Sequence, residues 1–100
     1  MTENQLQQAV IDAAHLFGWK VHHVKPARTP DGKYLTRIAA DPGFPDLVLA
    51  RSGEVLFVEL KSAVGRLRPA QKEWLDHLPD VKVWRPEDWN NGTIMEVLRR

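Results

Sequence analysis

Apolar residues near the start of the chain recur at steps of three and four, the spacing that marks one face of an α-helix. This pattern predicts a first helix from Glu3 to Phe17, with Thr2 as its N-cap and Gly18 as its stop. The residues that follow nearly alternate between apolar and polar, which predicts a short strand over Trp19–Val24.

Two apolar segments in the middle of the chain have strand character. Asp46–Ala50 and Val55–Lys61 are predicted to form a β-hairpin, whose turn contains Gly53 because a tight turn needs a residue that tolerates positive φ. If residues 52 and 53 form a two-residue turn, the ladder places Asp46 directly opposite Glu59.

The last third of the chain alternates between helical and extended patterns. Pro69 occupies the preferred first position of a helix that runs to Leu78. A strand over Val81–Arg85 and a helix over Thr93–Leu98 follow. Helices and strands in this order predict an α/β protein with a mixed sheet flanked by helices.

Two segments lack periodicity and are predicted as loops. Lys25–Pro45 is rich in proline and glycine, with a short strand possible only over Leu35–Ala39, and loops of this length are usually functional. Ser62–Arg68 is shorter and basic.

Composition limits the class of protein without indicating its function. The chain has 100 residues, 43% of them apolar and 27% charged, which predicts one globular domain over residues 1–100. Cysteine is absent, which excludes disulfides and cysteine-ligated zinc. No apolar run reaches the roughly 20 residues needed to cross a bilayer, and the N-terminal residues are too polar for a signal peptide. We therefore expect a cytoplasmic protein without a membrane partner.

The predicted hairpin brings ionisable side chains together at one end. Asp46 and Glu59 face each other across the ladder, and Lys61 points to the same face because side chains alternate along a strand. Opposed carboxylates repel each other, and a bound Mg²⁺ or Mn²⁺ would remove the conflict, with the Leu60 carbonyl as a further oxygen ligand. Lys61 would hold a water or neutralise charge on a phosphate, which predicts metal-assisted phosphodiester hydrolysis. The alternatives are a solvated strand end, or a β-bulge that turns one side chain away.

These residues also resemble a known family. Pro45-Asp46, followed after twelve residues by Glu59-Leu60-Lys61, is similar to the core motif of the PD-(D/E)XK nucleases. With the flanking segments Gly43–Leu47 and Gly65–Gln71, it resembles a VRR-NUC domain, the virus-type replication-repair nuclease module. The resemblance extends from the first helix to Trp84 and implies a restriction-endonuclease-like core, with a central mixed β-sheet flanked by helices.

The resemblance implies a role for each matching residue. Asp46 and Glu59 would be metal ligands and Lys61 would complete catalysis. Glu3 matches the acidic residue on the first helix of the family, and Gln71 matches a glutamine on the helix after the core motif.

Basic residues flank the motif on both sides, where phosphate positioning would need them. Arg68 departs from the serine or threonine that relatives often carry before the proline, so we expect a weaker helix cap or a phosphate contact in its place. Ordinary solvated loop charge is the alternative. The predicted DNA contacts are Lys25, Arg28, Lys33, Arg37, Arg66, Arg68 and Lys72.

Together, the residues and the resemblance predict a Mg²⁺- or Mn²⁺-dependent DNA endonuclease acting on branched DNA, such as four-way junctions. Coordinated cutting of two strands needs two metal sites and the chain has one motif, so we expect a homodimer. The resemblance also implies a phage or prophage protein of DNA replication and repair, located in the cytoplasm of a bacterial or infected cell. Alternatives are an inactive nucleic-acid-binding module on the same fold, a monomeric flap or end nuclease, and a structural phage protein.

Overall fold

The structure is a computed structural model that describes residues 1–24 and 40–100. Within these two ranges, no helix is long and apolar enough to cross a bilayer. The described elements are α1 (Glu3–Leu16), β1 (Lys20–His23), β2 (Leu47–Arg51), β3 (Glu54–Leu60), α2 (Pro69–His77), β4 (Val81–Trp84), α3 (Pro86–Asn90) and α4 (Thr93–Arg99).

The four strands form one mixed sheet in the order β1-β2-β3-β4. β1 and β2 pair antiparallel, as do β2 and β3, whereas β3 and β4 pair in parallel. The parallel pair arises because α2 carries the chain back to the starting end of β3, as a parallel connection requires. The predicted α/β class, with a mixed sheet flanked by helices, is confirmed and is consistent with a restriction-endonuclease-like core.

The hairpin has the register that the sequence predicts. Arg51 pairs with Glu54 and Leu47 pairs with Val58, so no bulge interrupts the ladder. Residues 52 and 53 both have positive φ, 50° and 83°, which is the backbone of a two-residue hairpin turn. The end of the hairpin opposite the turn is thereby fixed in register.

The core lies on one face of this hairpin. Away from the turn, alternate hairpin residues are buried there, and these side chains pack with the buried faces of α1 and α4. Burial of this apolar surface is the main stabilising contribution of the sheet. The buried apolar residues of the hairpin are Leu47, Leu49, Leu56, Val58 and Leu60, and those of the two helices are Leu6, Val10, Ala13, Ala14, Ile94 and Leu98.

The end of α4 is held by hydrogen bonds near the turn end of the hairpin. The Trp19 indole N–H donates to the Leu98 carbonyl at 2.9 Å. Arg51 Nη1 donates to the carbonyls of Leu98 and Phe17 at 3.0 and 2.9 Å, and its guanidinium lies 4.2 Å from the Trp19 ring centroid. These bonds satisfy carbonyls that a helix end leaves without a partner.

The opposite face of the sheet carries α2. Phe57 lies on this face because it alternates with the buried residues of β3. Phe44 packs edge-on against Phe57 and Trp74, with ring centroids 5.9 and 4.9 Å apart. Gly43, with φ of 95°, lies so close to α2 that a β-carbon there would be 2.5 Å from the Ala70 carbonyl carbon. None of the residues of α2 is fully buried, so its position depends on these few contacts.

The predicted element bounds agree with the structure to within one residue, but one helix was not predicted. α3 has five residues, too few to show a periodic pattern. Its start signals are Pro86 in the first turn and Asp88, whose Oδ2 accepts from the Arg85 N–H at 2.8 Å. The possible strand over Leu35–Ala39 lies outside the described residues.

Candidate active site

Asp46 lies immediately before β2, at the end of the hairpin away from the turn. Its main-chain carbonyl accepts a hydrogen bond from the Val24 N–H at 2.8 Å. Its Oδ2 accepts one from the Leu60 N–H, also at 2.8 Å. The carboxylate therefore accepts a hydrogen bond from β3 in place of a main-chain carbonyl. This bond fixes the position of the Asp46 side chain beside Glu59.

Glu59 is almost completely buried, with 2% of its surface exposed. Its Oε1 accepts a hydrogen bond from Gln71 Nε2 at 3.2 Å and lies 4.0 Å from Lys61 Nζ. Its Oε2 is also buried and, among the residues that the structure describes, has no hydrogen-bond partner. A buried polar atom without a partner costs free energy and needs an explanation.

The electrostatics of this end of the sheet favour a protonated Glu59 or a bound cation. Burial raises the pKa of Glu59 to about 8, and the negative charge of Asp46 acts in the same direction. Lys61 opposes the shift, and Glu3 adds a smaller increase. A perturbed carboxyl with a specific charged partner is a common feature of functional sites.

Lys61 follows β3 directly, and only 8% of its surface is exposed. Its N–H donates to the Trp84 carbonyl at 3.0 Å, which extends the pairing with β4 by one bond. The side chain therefore leaves the sheet on the same face as Glu59, as alternation along the strand predicts.

Gln71 connects α2 to this group through both ends of its amide. Its Oε1 accepts from the Arg68 N–H at 2.8 Å at the start of the helix, while its Nε2 donates to Glu59. The Arg68 side chain makes no capping hydrogen bond, so the main-chain N–H is satisfied by Gln71 instead. The bond to Arg68 fixes which end of the amide faces the carboxylate.

The structure thus brings together four of the predicted catalytic residues, Asp46, Glu59, Lys61 and Gln71. Glu3 is exposed in the first turn of α1 and reaches the group only through its charge. The described ranges contain no cluster of three or more histidine, aspartate or glutamate side chains that could hold a metal ion. Of the described residues, two carboxylates, Asp46 and Glu59, are therefore available here.

The predicted DNA contacts divide into two sets. Arg66 and Arg68 are exposed on the loop that follows Lys61, and Lys72 is exposed on the first turns of α2. These three lie next in the chain to Lys61 and Gln71 and are free to meet a polyanion. The other set, Lys25, Arg28, Lys33 and Arg37, lies outside the described residues.

The family model of the VRR-NUC domain matches residues 1–82. The chain belongs to the VRR-NUC family. No curated protein and no solved structure gives a significant match. Membership of a nuclease family implies DNA as the class of substrate.

Two further residues contact the segments around this VRR-NUC site, and neither has a role assigned from sequence. Gly43 belongs to the motif that resembles the family, but its close approach to Ala70 depends on where α2 lies. Arg85 lies beyond the matched residues, and its side chain donates to the loop that follows Lys61. No periodicity or motif marks Arg85, because its side-chain partners are 20 and 23 positions away in the chain.

Proposed function

We propose that this VRR-NUC protein is a divalent-metal-dependent DNA endonuclease that hydrolyses phosphodiester bonds, with branched DNA such as four-way junctions as its substrate. The buried carboxylate pair carries the proposal. Glu59 is buried beside Asp46, and its Oε2 has no hydrogen-bond partner within the described part of the chain. A bound cation would supply the missing interaction and cancel the repulsion between the two carboxylates.

Mg²⁺ or Mn²⁺ suits this set of donors. Both are hard cations that prefer oxygen, and Mg²⁺ commonly binds through one or two carboxylates while keeping several waters. Asp46 and Glu59 would hold the ion, and the Leu60 carbonyl is the third ligand that we propose. When bound, such an ion lowers the pKa of a coordinated water and polarises a phosphate oxygen.

Lys61 and Gln71 have distinct tasks around this pair. Lysine has three donors and no acceptor when charged, so we assign Lys61 to neutralising the negative charge that develops on the phosphate. Gln71 holds Glu59 Oε1, which leaves Oε2 for the cation. Glu3 would add negative charge near the ion from the start of α1.

Exposed cations beside the site would place the DNA backbone. Arg66, Arg68 and Lys72 are suited to phosphate contacts, which position a nucleic acid without reading its sequence. We assign the same role to Lys25, Arg28, Lys33 and Arg37. The virus-type replication-repair character of the family supports a phage-encoded protein of the cytoplasm that acts in DNA replication or repair.

The test uses linear, flapped and four-way DNA, each incubated with Mg²⁺, with Mn²⁺ or with a chelator. We expect cleavage only with metal, and most strongly on the four-way substrate. Glu59→Gln and Asp46→Asn should each reduce cleavage by at least about 100-fold, because each removes a charge from the metal site. Glu54→Gln is the matched control, since Glu54 is an exposed carboxylate on the same strand.

Cleavage in the presence of chelator, or wild-type rates in Glu59→Gln, would contradict the metal-dependent mechanism. DNA binding without cleavage under every metal condition would instead indicate a binding module on the nuclease fold. Nicks confined to flaps or ends would contradict the four-way substrate and retain the nuclease.

A further inference from the structure

Arg85 lies where β4 ends and α3 begins, and its half-buried side chain reaches the loop that follows β3. Its Nη1 donates hydrogen bonds to the carbonyl oxygens of Ser62 and Gly65, each at 2.7 Å. Its main chain is held as well, because its N–H donates to Asp88 Oδ2. One anchored side chain therefore ties two carbonyls of the loop to a separate element.

The loop between these two carbonyls is a tight turn that packs on Lys61. The Gly65 N–H donates to Ser62 Oγ at 2.9 Å, which closes the turn with a side-chain hydrogen bond. A β-carbon at Gly65 would lie 3.0 Å from Ser62 Oγ and 3.6 Å from Lys61 Cδ. The turn thus lies next to the aliphatic stem of Lys61 at Gly65.

The Lys61 side chain must be held in one conformation if its ammonium group is to act at a defined position. Its backbone is fixed by the hydrogen bond to the Trp84 carbonyl. Its side chain, however, has four rotatable bonds, and holding it in one conformation costs about 2 kcal/mol of rotamer entropy. The side chain is nevertheless held with its Nζ 4.0 Å from Glu59 Oε1, and the residue is only 8% exposed. The Ser62–Gly65 turn lies close enough to the stem to limit its movement.

We propose that Arg85 is a positioning residue for Lys61: by holding the Ser62–Gly65 turn in place, it keeps the Lys61 ammonium beside Glu59. The inference rests on the proposed nuclease function, in which Lys61 acts on the phosphate. Arg85 lies outside residues 1–82, which the family model covers, so this support for the site comes from the C-terminal segment of this chain. Loss of the guanidinium would leave both carbonyls to water and allow the turn to move away from the lysine.

Arg51 provides a matched control. It is also half-buried, and its Nη1 also donates to two main-chain carbonyls, those of Phe17 and Leu98, at the turn end of the hairpin. Arg85→Ala and Arg51→Ala remove the same kind of contact, so both should lower Tm. Only Arg85→Ala should reduce kcat, by about 10- to 100-fold, because small displacements of a catalytic group are costly. KM for DNA and the affinity for Mn²⁺ should stay close to those of the wild type.

A double-mutant cycle tests whether the effect passes through Lys61. In a Lys61→Ala background, Arg85→Ala should cause little further loss of activity, because both changes affect the same group. Arg85→Lys keeps a cation that can donate to both carbonyls and should recover part of kcat. Additive losses in the cycle would overturn the assignment.

Acylation of lysines, followed by mass spectrometry, gives a readout that needs no cleavage. Lys61 should react more slowly than the exposed Lys72 in the wild type and in Arg51→Ala, and the difference should shrink in Arg85→Ala. If the wild type cleaves no DNA, the proposed function fails, while this measurement still decides the role of Arg85.

Unchanged protection of Lys61 in folded Arg85→Ala would overturn the inference, as would equal losses of kcat in Arg85→Ala and Arg51→Ala. If Arg85→Ala does not fold, Arg85→Gln takes its place in both experiments, since glutamine keeps one donor group.

Discussion

Glu59 is a carboxylate held where its negative charge is unfavourable. Burial, together with the negative charge of Asp46, raises its pKa from an ordinary 4.5 to about 8, and the charge of Lys61 opposes this increase. Glu3 contributes in the same direction as Asp46. The folded, metal-free protein therefore keeps the proton through a pH range in which the unfolded chain has already released it.

This difference predicts a pH-dependent stability for the metal-free protein. A raised pKa in the folded state stabilises the fold below pH 4.5, and this contribution is lost as the pH rises toward about 8. The loss amounts to at most about 5 kcal/mol in the free energy of unfolding. Glu59→Gln has no group to titrate, so urea unfolding should show a smaller decline over this range and a more stable variant at pH 8.

Glu54→Gln on the same strand serves as the control and should keep the wild-type profile. Parallel pH profiles for Glu59→Gln and the wild type would show that Glu59 titrates normally. Mg²⁺ should bind more tightly as the pH rises over the same range, because it competes with the proton for this carboxylate.

Among the elements, α2 carries Gln71, which contacts Glu59, although the helix is weakly buried. It has no fully buried residue, and its first turn lies against the backbone at Gly43. Gln71 in this first turn reaches Glu59 only if the helix stays that close. A residue without a β-carbon is therefore needed at position 43 for Gln71 to contact Glu59.

Gly43→Ala should disrupt the site more than the strain of its backbone alone explains. Gly43 and Gly53 have φ of 95° and 83°, so an alanine at either position has a similar strain, about 1–2 kcal/mol. Only at Gly43 would the new carbon collide with the Ala70 backbone, since nothing lies within 4 Å of it at Gly53. We expect Gly43→Ala to lose at least about tenfold in kcat, in line with displacement of a positioned group.

Gly53→Ala is the control and should lose stability but keep its activity per folded molecule. Near-UV circular dichroism of the Phe44–Trp74 cluster should change in Gly43→Ala alone. Equal activities of the two folded variants would show that α2 tolerates the displacement.

The loop between β3 and α2 makes a second prediction at the scale of elements. Arg66 and Arg68 are exposed beside the site, so neutralising both should weaken DNA binding through lost counterion release. The slope of log affinity against log salt should become shallower by about two units if each meets one phosphate. Fluorescence anisotropy with labelled DNA over a salt series measures this slope.

Arg99→Gln combined with Arg100→Gln is the matched control. Both arginines are exposed at the end of α4, near the turn end of the hairpin and away from the carboxylate pair. This variant should keep the wild-type slope. An equal change of slope in both double variants would mean that DNA contacts the protein without preference for the site.

At the scale of the whole molecule, residues 1–24 and 40–100 of one chain hold one pair of facing carboxylates, Asp46 and Glu59. Paired cuts in a four-way junction need two such sites, and a two-fold dimer would supply both along with the symmetry of the junction. We therefore propose that the active species is a homodimer.

Light scattering at micromolar concentration should give twice the mass of the 11.4 kDa chain. The four-way substrate should be cut at two symmetric positions. Mixing wild type with Glu59→Gln should produce dimers that make single nicks, because only one of their sites is active. A monomeric mass at every concentration, together with single nicks by the pure wild type, would contradict the dimer and leave the nuclease assignment in place.

The sequence by itself determined the elements and the pairing that creates the site. The spacing of apolar residues predicted the helices and strands that are long enough to have a periodic pattern. It did not predict α3, which is too short to have one. The two-residue turn determined the hairpin register, which places Asp46 and Glu59 side by side. These features depend on residues close in the chain, whose preferences act locally.

The tertiary structure decided everything that depends on distant contacts. The raised pKa of Glu59 comes from burial beneath elements that pack over it, which no spacing along β3 encodes. The hydrogen bond from Gln71, the contact of Gly43 with Ala70 and the hold of Arg85 on the Ser62–Gly65 turn each join residues that are far apart in sequence. Such contacts exist only once the helices are packed on the sheet, because packing, rather than local preference, determines which side chains and backbone groups meet.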